Sequence, residues 1–564
     1  MKEVIIKLLK KHVLFPKEKL ESLVEIPPNP EMGDFAFPCF ILANELKKNP
    51  IEIATDLAHR VSRKLPKEIS EIKAINGYLN FFINKELLVE TIINEILKKK
   101  EKYGKGKEKG KVALEHTSLN PNSSPHVGRA RNSFIGDSFK RILELQGYDV
   151  ETYYYVNDVS KQIALLAMNF KGNPSFDDLL KIYVNINKRI KETPELEQQA
   201  FDLLKKFEDG DKATRKLFKR IVDIAVKGQI NILKKFGIKF NKFDYESKYI
   251  DISKELIPKF NKTGLLFKDN QDRLVLNEVG HGLEKKMKEP VLVLARSNGT
   301  GLYAMRDIAY TLDKLKRCKK TYIVLGEDQK LYFEQIKAAL KILGKKAPEV
   351  LHYSYVLIQE NGEKNTNTNN KEKTPTKMST RKGEVVLLED FMNKAVDKAK
   401  AEIKKRKTKG DAEKVGYGAV KYAMLKNGLN KNIIFNWEHA LNFDGNSGPY
   451  LQYSYARANS ILRKCLNVNK TEKIKLIDLH EKEIKLAKKL SEFPHVSRDA
   501  YKKLDPSLIA NYAFELAQVF NEFYQFCPVV GTVEQMQRIG IVKAFTIVQK
   551  SALDLLGIEV MKEM

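Results

Sequence analysis

The sequence predicts an α/β protein: a doubly wound parallel sheet, with a smaller α+β unit before it and an all-helical region after it. Three observations carry that prediction. Short apolar runs at Lys111–His116, Val291–Leu294 and Tyr322–Leu325 read as strands, the first as a buried parallel one. Helical periodicity alternates with them. From Ala130 to Gln146, Phe134, Ile135, Phe139, Ile142, Leu143 and Leu145 fall mostly on one face, and Gly147 suits a helix stop. Beyond Asp411 the pattern is almost wholly helical to the end of the chain. Alternation of this kind places a ligand at the carboxyl ends of the strands.

The remaining segments follow in order. Residues to about 100 show mixed helical patterns that end in the strand-like Gly77–Ile83 and a helix. Glu101–Lys111 is a polar, glycine-punctuated connector. Charged helical sequence between Lys161 and Lys239 reads as an insertion in the α/β unit. Asn361–Pro375 is polar and of low complexity; it buries too little apolar surface to order itself and reads as a flexible flank.

Composition bounds the partners. The chain has 564 residues, a formal net charge of +28 and a pI near 9.5, which favours a polyanion. The charge is spread along the chain, as suits a large folded RNA touched at several points or a generally basic proteome. Lys7, Lys10 and Lys11 interrupt the N-terminal apolar run, and no stretch approaches the ~20 apolar residues of a membrane helix. Cys39, Cys318, Cys465 and Cys527 are too scattered for a zinc signature or a disulfide framework. The expectation is a soluble cytoplasmic protein with reduced thiols, no membrane contact and no protein-bound structural metal.

Two motifs carry the chemistry. Leu119–Arg129 is rich in Asn, Pro and Ser and leads from a strand to a helix N-terminus, where free N–H groups and the helix dipole favour phosphate. Gly128 lacks a Cβ, so a flat base can approach the backbone there. His126 could donate to phosphate oxygens as charge develops, or simply cap the helix. Far downstream, Lys377–Gly383 presents Lys377, Ser379, Arg381 and Lys382 on a segment able to close over a triphosphate, or to remain a solvated basic loop.

Together these resemble the His-x-Gly-His and Lys-Met-Ser motifs of class I aminoacyl-tRNA synthetases. Arg129 replaces the second histidine and Thr380 the second lysine, for which either Arg381 or Lys382 could substitute. Further segments resemble the arginyl-tRNA synthetase family: Pro28–Phe37, Gly77–Asn80, Tyr303–Asp307, Arg381–Leu388, Gly418–Tyr422 and the long Asp444–Arg457. That resemblance implies a Rossmann-like catalytic domain at 110–375 and a loop and connecting domain at 376–442. It also implies an additional tRNA-binding domain at 1–105 and a helical anticodon-binding domain at 443–564. The implied substrates are L-arginine, ATP with Mg²⁺ and an arginine tRNA, with activation dependent on bound tRNA; the expected assembly is a monomer.

The resemblance assigns catalysis to His126, Gly128, Arg129, Lys377 and Ser379, and ATP contacts to His126, Gly128, Lys377 and Met378. It places arginine contacts at Glu115, Asn120, Glu246, Tyr303, Asp307 and Gln329. Carboxylates accept a planar guanidinium bidentately, and Asn120 or Gln329 could accept from the α-ammonium. Asp307 could instead cap the helix that follows it, Tyr303 could be core, and Asp328 could align in place of Gln329. RNA contacts fall on Tyr78, Asn80, Tyr450, Tyr453, Arg457 and Met564; the 450–457 stripe suits either base stacking or helix packing. Alternatives are another class I specificity, such as cysteine with a zinc set, a simple nucleotidyltransferase, or a non-catalytic tRNA-binding relative. Retention of His126, Gly128, Lys377 and the arginine-pocket positions argues for intact chemistry.

Overall fold

The computed structural model describes residues 1–117, 119–297, 301–358, 386–465 and 478–564. They group into two units. One holds Met1–Tyr103, Ile461–Glu492 and Val519–Ile547; the other holds Gly104–Ser460, Phe493–Gln518 and Val548–Met564.

In the first unit, β1 (Phe35–Pro38), β2 (Ile69–Ile75) and β3 (Tyr78–Ile83) form an antiparallel sheet in the order β1-β3-β2. Asn76 and Gly77 turn the β2–β3 hairpin with φ of 50° and 79°, the two positive values that a tight hairpin turn needs. Phe37, Leu79 and Phe81 are buried in its core. The helix after β3, Lys85–Lys99, starts where the Asn84 side chain accepts from the Leu87 N–H. The strand and helix expected around Gly77 are therefore both present.

The second unit carries five parallel strands. These are β4 (Lys111–Glu115), β5 (Asp149–Val156) and β6 (Lys242–Tyr245), then, beyond β7 (Leu266–Lys268), β8 (Leu274–Asn277) and β9 (Val291–Ala295), β10 (Lys320–Gly326) and β11 (Glu349–Tyr353). Their order is β11-β10-β4-β5-β6. From β4 the chain winds one way to β5 and β6, and later the other way through β10 to β11. The switch point therefore lies between β4 and β10, where an open α/β sheet binds its ligand.

The Val127–Gln146 helix follows β4 and begins three residues earlier than its apolar periodicity suggested, because the loop's hydrogen bonds already start it at His126. Gly147 ends it with φ 110°, as expected. Midway, Gly136 lets the helix press against His116; any Cβ there would overlap the imidazole. The predicted insertion is four helices, Lys161–Met168, Phe176–Glu192, Glu195–Glu208 and Lys212–Lys235, and it forms the β5–β6 crossover.

One expectation needs correction. Val291–Leu294 is a strand, but it belongs to the antiparallel sheet β7-β8-β9 rather than to the parallel one. The segment between β8 and β9 forms no helix, the usual carrier of a parallel crossover. The stretch beyond Asp411 is almost wholly helical, as expected, with one short strand among its described residues, β13 (Ile433–Phe435), paired in parallel with β12 (Val356–Ile358).

Two of the quoted segments pack on each other. The Ala412–Leu425 helix meets the start of the Gly448–Lys464 helix, where a Cβ on Gly448 would strike the Gly418 carbonyl. The chain end is tied into the same unit. Lys421 Nζ donates to the carbonyls of Phe236 (2.7 Å) and Gly557 (2.6 Å), Gln452 Nε2 to that of Glu559 (2.8 Å), and Ser138 Oγ to that of Leu555 (2.8 Å).

Candidate active site

A cavity of about 410 Å³ opens at the switch point, and Glu115, Asn120, Glu246, Tyr303, Asp307 and Gln329 all line it. Each comes from a different constraint of the fold. Glu115 ends β4, Asn120 lies in the loop that follows, and Glu246 comes directly after β6. Gln329 sits in the turn after β10. The Tyr303–Arg317 helix presents Tyr303, Asp307, Tyr310 and Lys314 along one face, at spacings of four, three and four.

The carboxylates are embedded differently. Glu246 accepts from Arg306 Nε at 2.6 Å, and Arg306 also reaches Glu208 of the insertion at 3.4 Å. Glu115 pairs with Lys314, both side chains being almost wholly buried. Asp307 accepts from the Tyr332 hydroxyl at 2.5 Å. Burial pushes the Glu246 carboxyl up to about 8 even with Arg306 beside it, and pushes Asp307 up to about 6. Both acids lack enough positive charge nearby to offset desolvation, so a cationic ligand would favour their ionised forms.

Two of the open alternatives now close. The helix starts at Tyr303, so Asp307 lies in its second turn and is not the cap. Tyr303 is 55% exposed and therefore not core; its ring lies 5.1 Å from that of Tyr332. Asp328 and Gln329 both line the cavity; Asp328 faces Arg129 at 4.0 Å, and among the described residues the buried Gln329 Oε1 has no hydrogen-bond partner. Among the described residues the buried Tyr155 hydroxyl and Asn157 Oδ1 are also unpartnered at this cavity. Such orphaned groups are costly unless a ligand or water completes them. The sequence reading missed Tyr155, Arg306, Tyr310, Lys314 and Tyr332. The signal for two of them was present, since Tyr310 and Lys314 continue the helical stripe begun by Tyr303 and Asp307.

His126 occupies the N-cap position of the Val127–Gln146 helix, but its side chain makes no capping bond. Among the described residues its buried Nδ1 has no partner, and burial together with Arg129 lowers the imidazole to about 4. It is a neutral ring at physiological pH, able to donate from one nitrogen. The backbone N–H of Gly128 has no hydrogen bond among the described residues. The motif is braced from the other side of the chain: Val127 N–H donates to the Val386 carbonyl (3.0 Å) and Leu388 N–H to that of Pro125 (2.8 Å). Arg129 lines the cavity, so this helix start faces the same space. Lys377, Met378 and Ser379, like the Asn361–Pro375 flank, lie outside the described residues.

The expected RNA contacts divide by exposure. Tyr78 is half-buried and edge-on to Phe40 at 5.2 Å, and Phe40 itself is 46% exposed. Asn80 is buried in the central strand of its sheet, out of reach of an RNA base without rearrangement. On the Gly448–Lys464 helix, Leu451, Ser454, Tyr455 and Ala458 turn inward, while Tyr450, Tyr453 and Arg457 occupy a half-exposed face. Arg457 lies over the Tyr453 ring at 4.8 Å. Met564 packs into a small cluster with Ile403, Val415, Phe443 and Met561. Among the described residues no helix is long and apolar enough to cross a membrane.

Comparison with known proteins agrees with this geometry. Residues 92–437 match the catalytic domain of class I (R) tRNA synthetases, residues 451–564 the DALR anticodon binding domain, and residues 1–83 the arginyl tRNA synthetase N-terminal domain. The chain is 38% identical to the arginine–tRNA ligase of Methanocaldococcus jannaschii, covering 99% of this chain and 97% of that one. It is 33% identical to the arginine–tRNA ligase of Clostridium perfringens over 100% of both. The fold matches that of Thermus thermophilus arginyl-tRNA synthetase with a TM-score of 0.77 at 25% identity, covering 100% of this chain and 99% of that one. With all three domains matched and both carboxylate-lined cavity and helix N-terminus in place, the chain belongs to the arginyl-tRNA synthetases, the class I arginine–tRNA ligases.

Proposed function

We propose that arginine is activated in the cavity between β4 and β10. Its guanidinium faces Asp307, Glu246 and Glu115 beside Tyr303, and its α-ammonium faces Asn120 and Gln329. The observation that carries this reading is the meeting of raised, cation-seeking carboxyls with the orphaned acceptor of Gln329 in one space. A planar fork of donors is what such a set of acceptors accommodates.

ATP, brought as its Mg²⁺ complex, lies over Gly128 with its phosphates between His126 and the Lys377–Met378–Ser379 segment. Arg129 stands at the rim, beside Asp328. The arginine carboxylate attacks the α-phosphate in line and Mg²⁺-pyrophosphate departs. His126 donates to the phosphate as charge builds, which its neutral state permits. The terminal ribose hydroxyl of tRNA then attacks the adenylate carbonyl, releasing AMP. Tyr78 and the half-exposed Tyr450, Tyr453 and Arg457 face offer stacking surfaces for that tRNA. The burial of Asn80 and the packing of half-buried Met564 give them a supporting part in those surfaces.

The enzyme acts in the cytoplasm, which suits four buried free thiols, and as a monomer, which light scattering reads directly. The test of the whole reading is amino-acid-dependent ATP–pyrophosphate exchange with and without tRNA. Exchange should respond to arginine alone among the amino acids and should require tRNA. Exchange with another amino acid, or none under any condition, overturns it.

A further inference from the structure

We propose that Lys314 is a specificity-determining positioning residue that acts through Glu115, an inference resting on arginine's occupying this cavity. Four carboxylates, from Glu115, Glu246, Asp307 and Asp328, line one space of about 410 Å³. Arg306 holds Glu246, Lys314 holds Glu115 and Arg129 faces Asp328 at 4.0 Å. Asp307 bonds to the Tyr332 hydroxyl and, among the described residues, enters no ion pair. Three internal cations thus leave one carboxylate for the one cationic side chain of the substrate.

Lys314 is locked in this part. Its side chain is 3% exposed and that of Glu115 is 7% exposed. Its ammonium also lies over the Tyr310 ring at 4.1 Å, and that ring stacks on Tyr155 at 4.1 Å with an interplanar angle of 7°. The ammonium is boxed between a strand end and an aromatic face, so Glu115 cannot turn without breaking a buried pair. Among the described residues the second oxygen of Glu115 accepts no hydrogen bond, so it stands at a fixed place in the cavity wall. A fixed acceptor suits a planar guanidinium, whose donors point in set directions. A free carboxylate could swing to meet a compact ammonium equally well. Preorganisation by Lys314 therefore favours arginine over lysine.

The test is a double-mutant cycle of Lys314→Met, Glu115→Gln and the pair, read by pyrophosphate exchange with tRNA present. Lys314→Met should raise the arginine KM about tenfold, within the range of pairwise couplings between contacting charged groups, and should lower the arginine-over-lysine preference. The ATP KM should stay put, and Lys314→Arg should restore part of the loss. In the Glu115→Gln background, Lys314→Met should change the arginine KM no further. An unchanged arginine KM in Lys314→Met, or an equal rise in both backgrounds, overturns the proposal. If the single variant does not fold, the double variant retains no unpaired buried charge; its match to Glu115→Gln supports the proposal and a further rise overturns it. Should Asp307→Asn and Glu115→Gln both leave arginine binding intact, the cavity reading falls and takes this inference with it. Should Asp307→Asn weaken binding while Lys314→Met does not, only this inference falls.

Discussion

The carboxylate-lined cavity and the helix start beside it are built from different materials. The cavity is made of side chains fixed by other side chains: Glu246 by Arg306, Glu115 by Lys314, Asp307 by Tyr332. The helix start at His126 is fixed by backbone bonds to Val386 and Leu388, and among the described residues it leaves the His126 Nδ1 and the Gly128 N–H unpartnered. The difference suits the ligands proposed for the two regions. A guanidinium must be distinguished from other cations, which needs directional acceptors held in place. A phosphate must only be bound and stabilised as it reacts, which oriented N–H groups and one neutral imidazole accomplish. Changes in the first region should therefore appear in arginine affinity, and changes in the second in turnover.

The largest expected effect breaks or upholds that division directly. His126→Ala should lower arginine activation by roughly 10²–10³, the size of one lost transition-state donor, with arginine affinity nearly unchanged. Near-normal turnover in single-turnover kinetics would remove His126 from the reaction. Asp307→Asn comes next, with a loss of about 1.5–3 kcal/mol, the range for hydrogen bonds to charged groups. It should appear in the arginine KM and leave ATP binding intact. A variant that melts early by circular dichroism yet binds arginine normally would make Asp307 a structural residue.

The pH dependence sharpens the same contrast. Burial raises the Glu246 carboxyl to about 8 and that of Asp307 to about 6. A bound cation favours the ionised forms, so binding below those values must expel protons. Arginine affinity should fall as pH drops through 8 and then 6, by up to about tenfold per unit for each proton released. His126, near 4, should not contribute there. Calorimetry in buffers of differing ionisation heat measures the proton release, and a flat profile from pH 6 to 8.5 would place the acids outside the binding step. The smallest effect lies away from the chemistry. Tyr453→Ala should weaken tRNA binding by about 1 kcal/mol, at the low end of base stacking, while the arginine KM at saturating tRNA holds. An unchanged tRNA affinity would return that stripe to a packing role.

The C-terminal region shows what helical periodicity leaves undecided. The pattern runs almost wholly helical from Asp411 onward, and the family resemblance implies a break at 443. Yet Phe493–Gln518 and Val548–Met564 group with the parallel sheet, and Ser138 and Lys421 bond to the carbonyls of Leu555 and Gly557. Periodicity reports which face of a helix is apolar, not what will cover that face. The same limit misassigned Val291–Leu294, whose residues specify a strand but not its partners.

By itself the sequence determined the strand–loop–helix around His126, the stop at Gly147 and a helical insertion, and its family resemblance supplied six residues that line the cavity. These are local: turn chemistry, capping and apolar spacing act within a few residues, and motif spacing preserves them. Only the tertiary structure decided that Lys314 meets Glu115, that Arg306 spans Glu246 and Glu208, and that Asn80 is buried while Tyr78 is not. Those facts depend on elements separated by tens to hundreds of residues coming together, and on desolvation that no isolated segment experiences. A buried charge acquires its partner from the fold, so its role becomes legible only there.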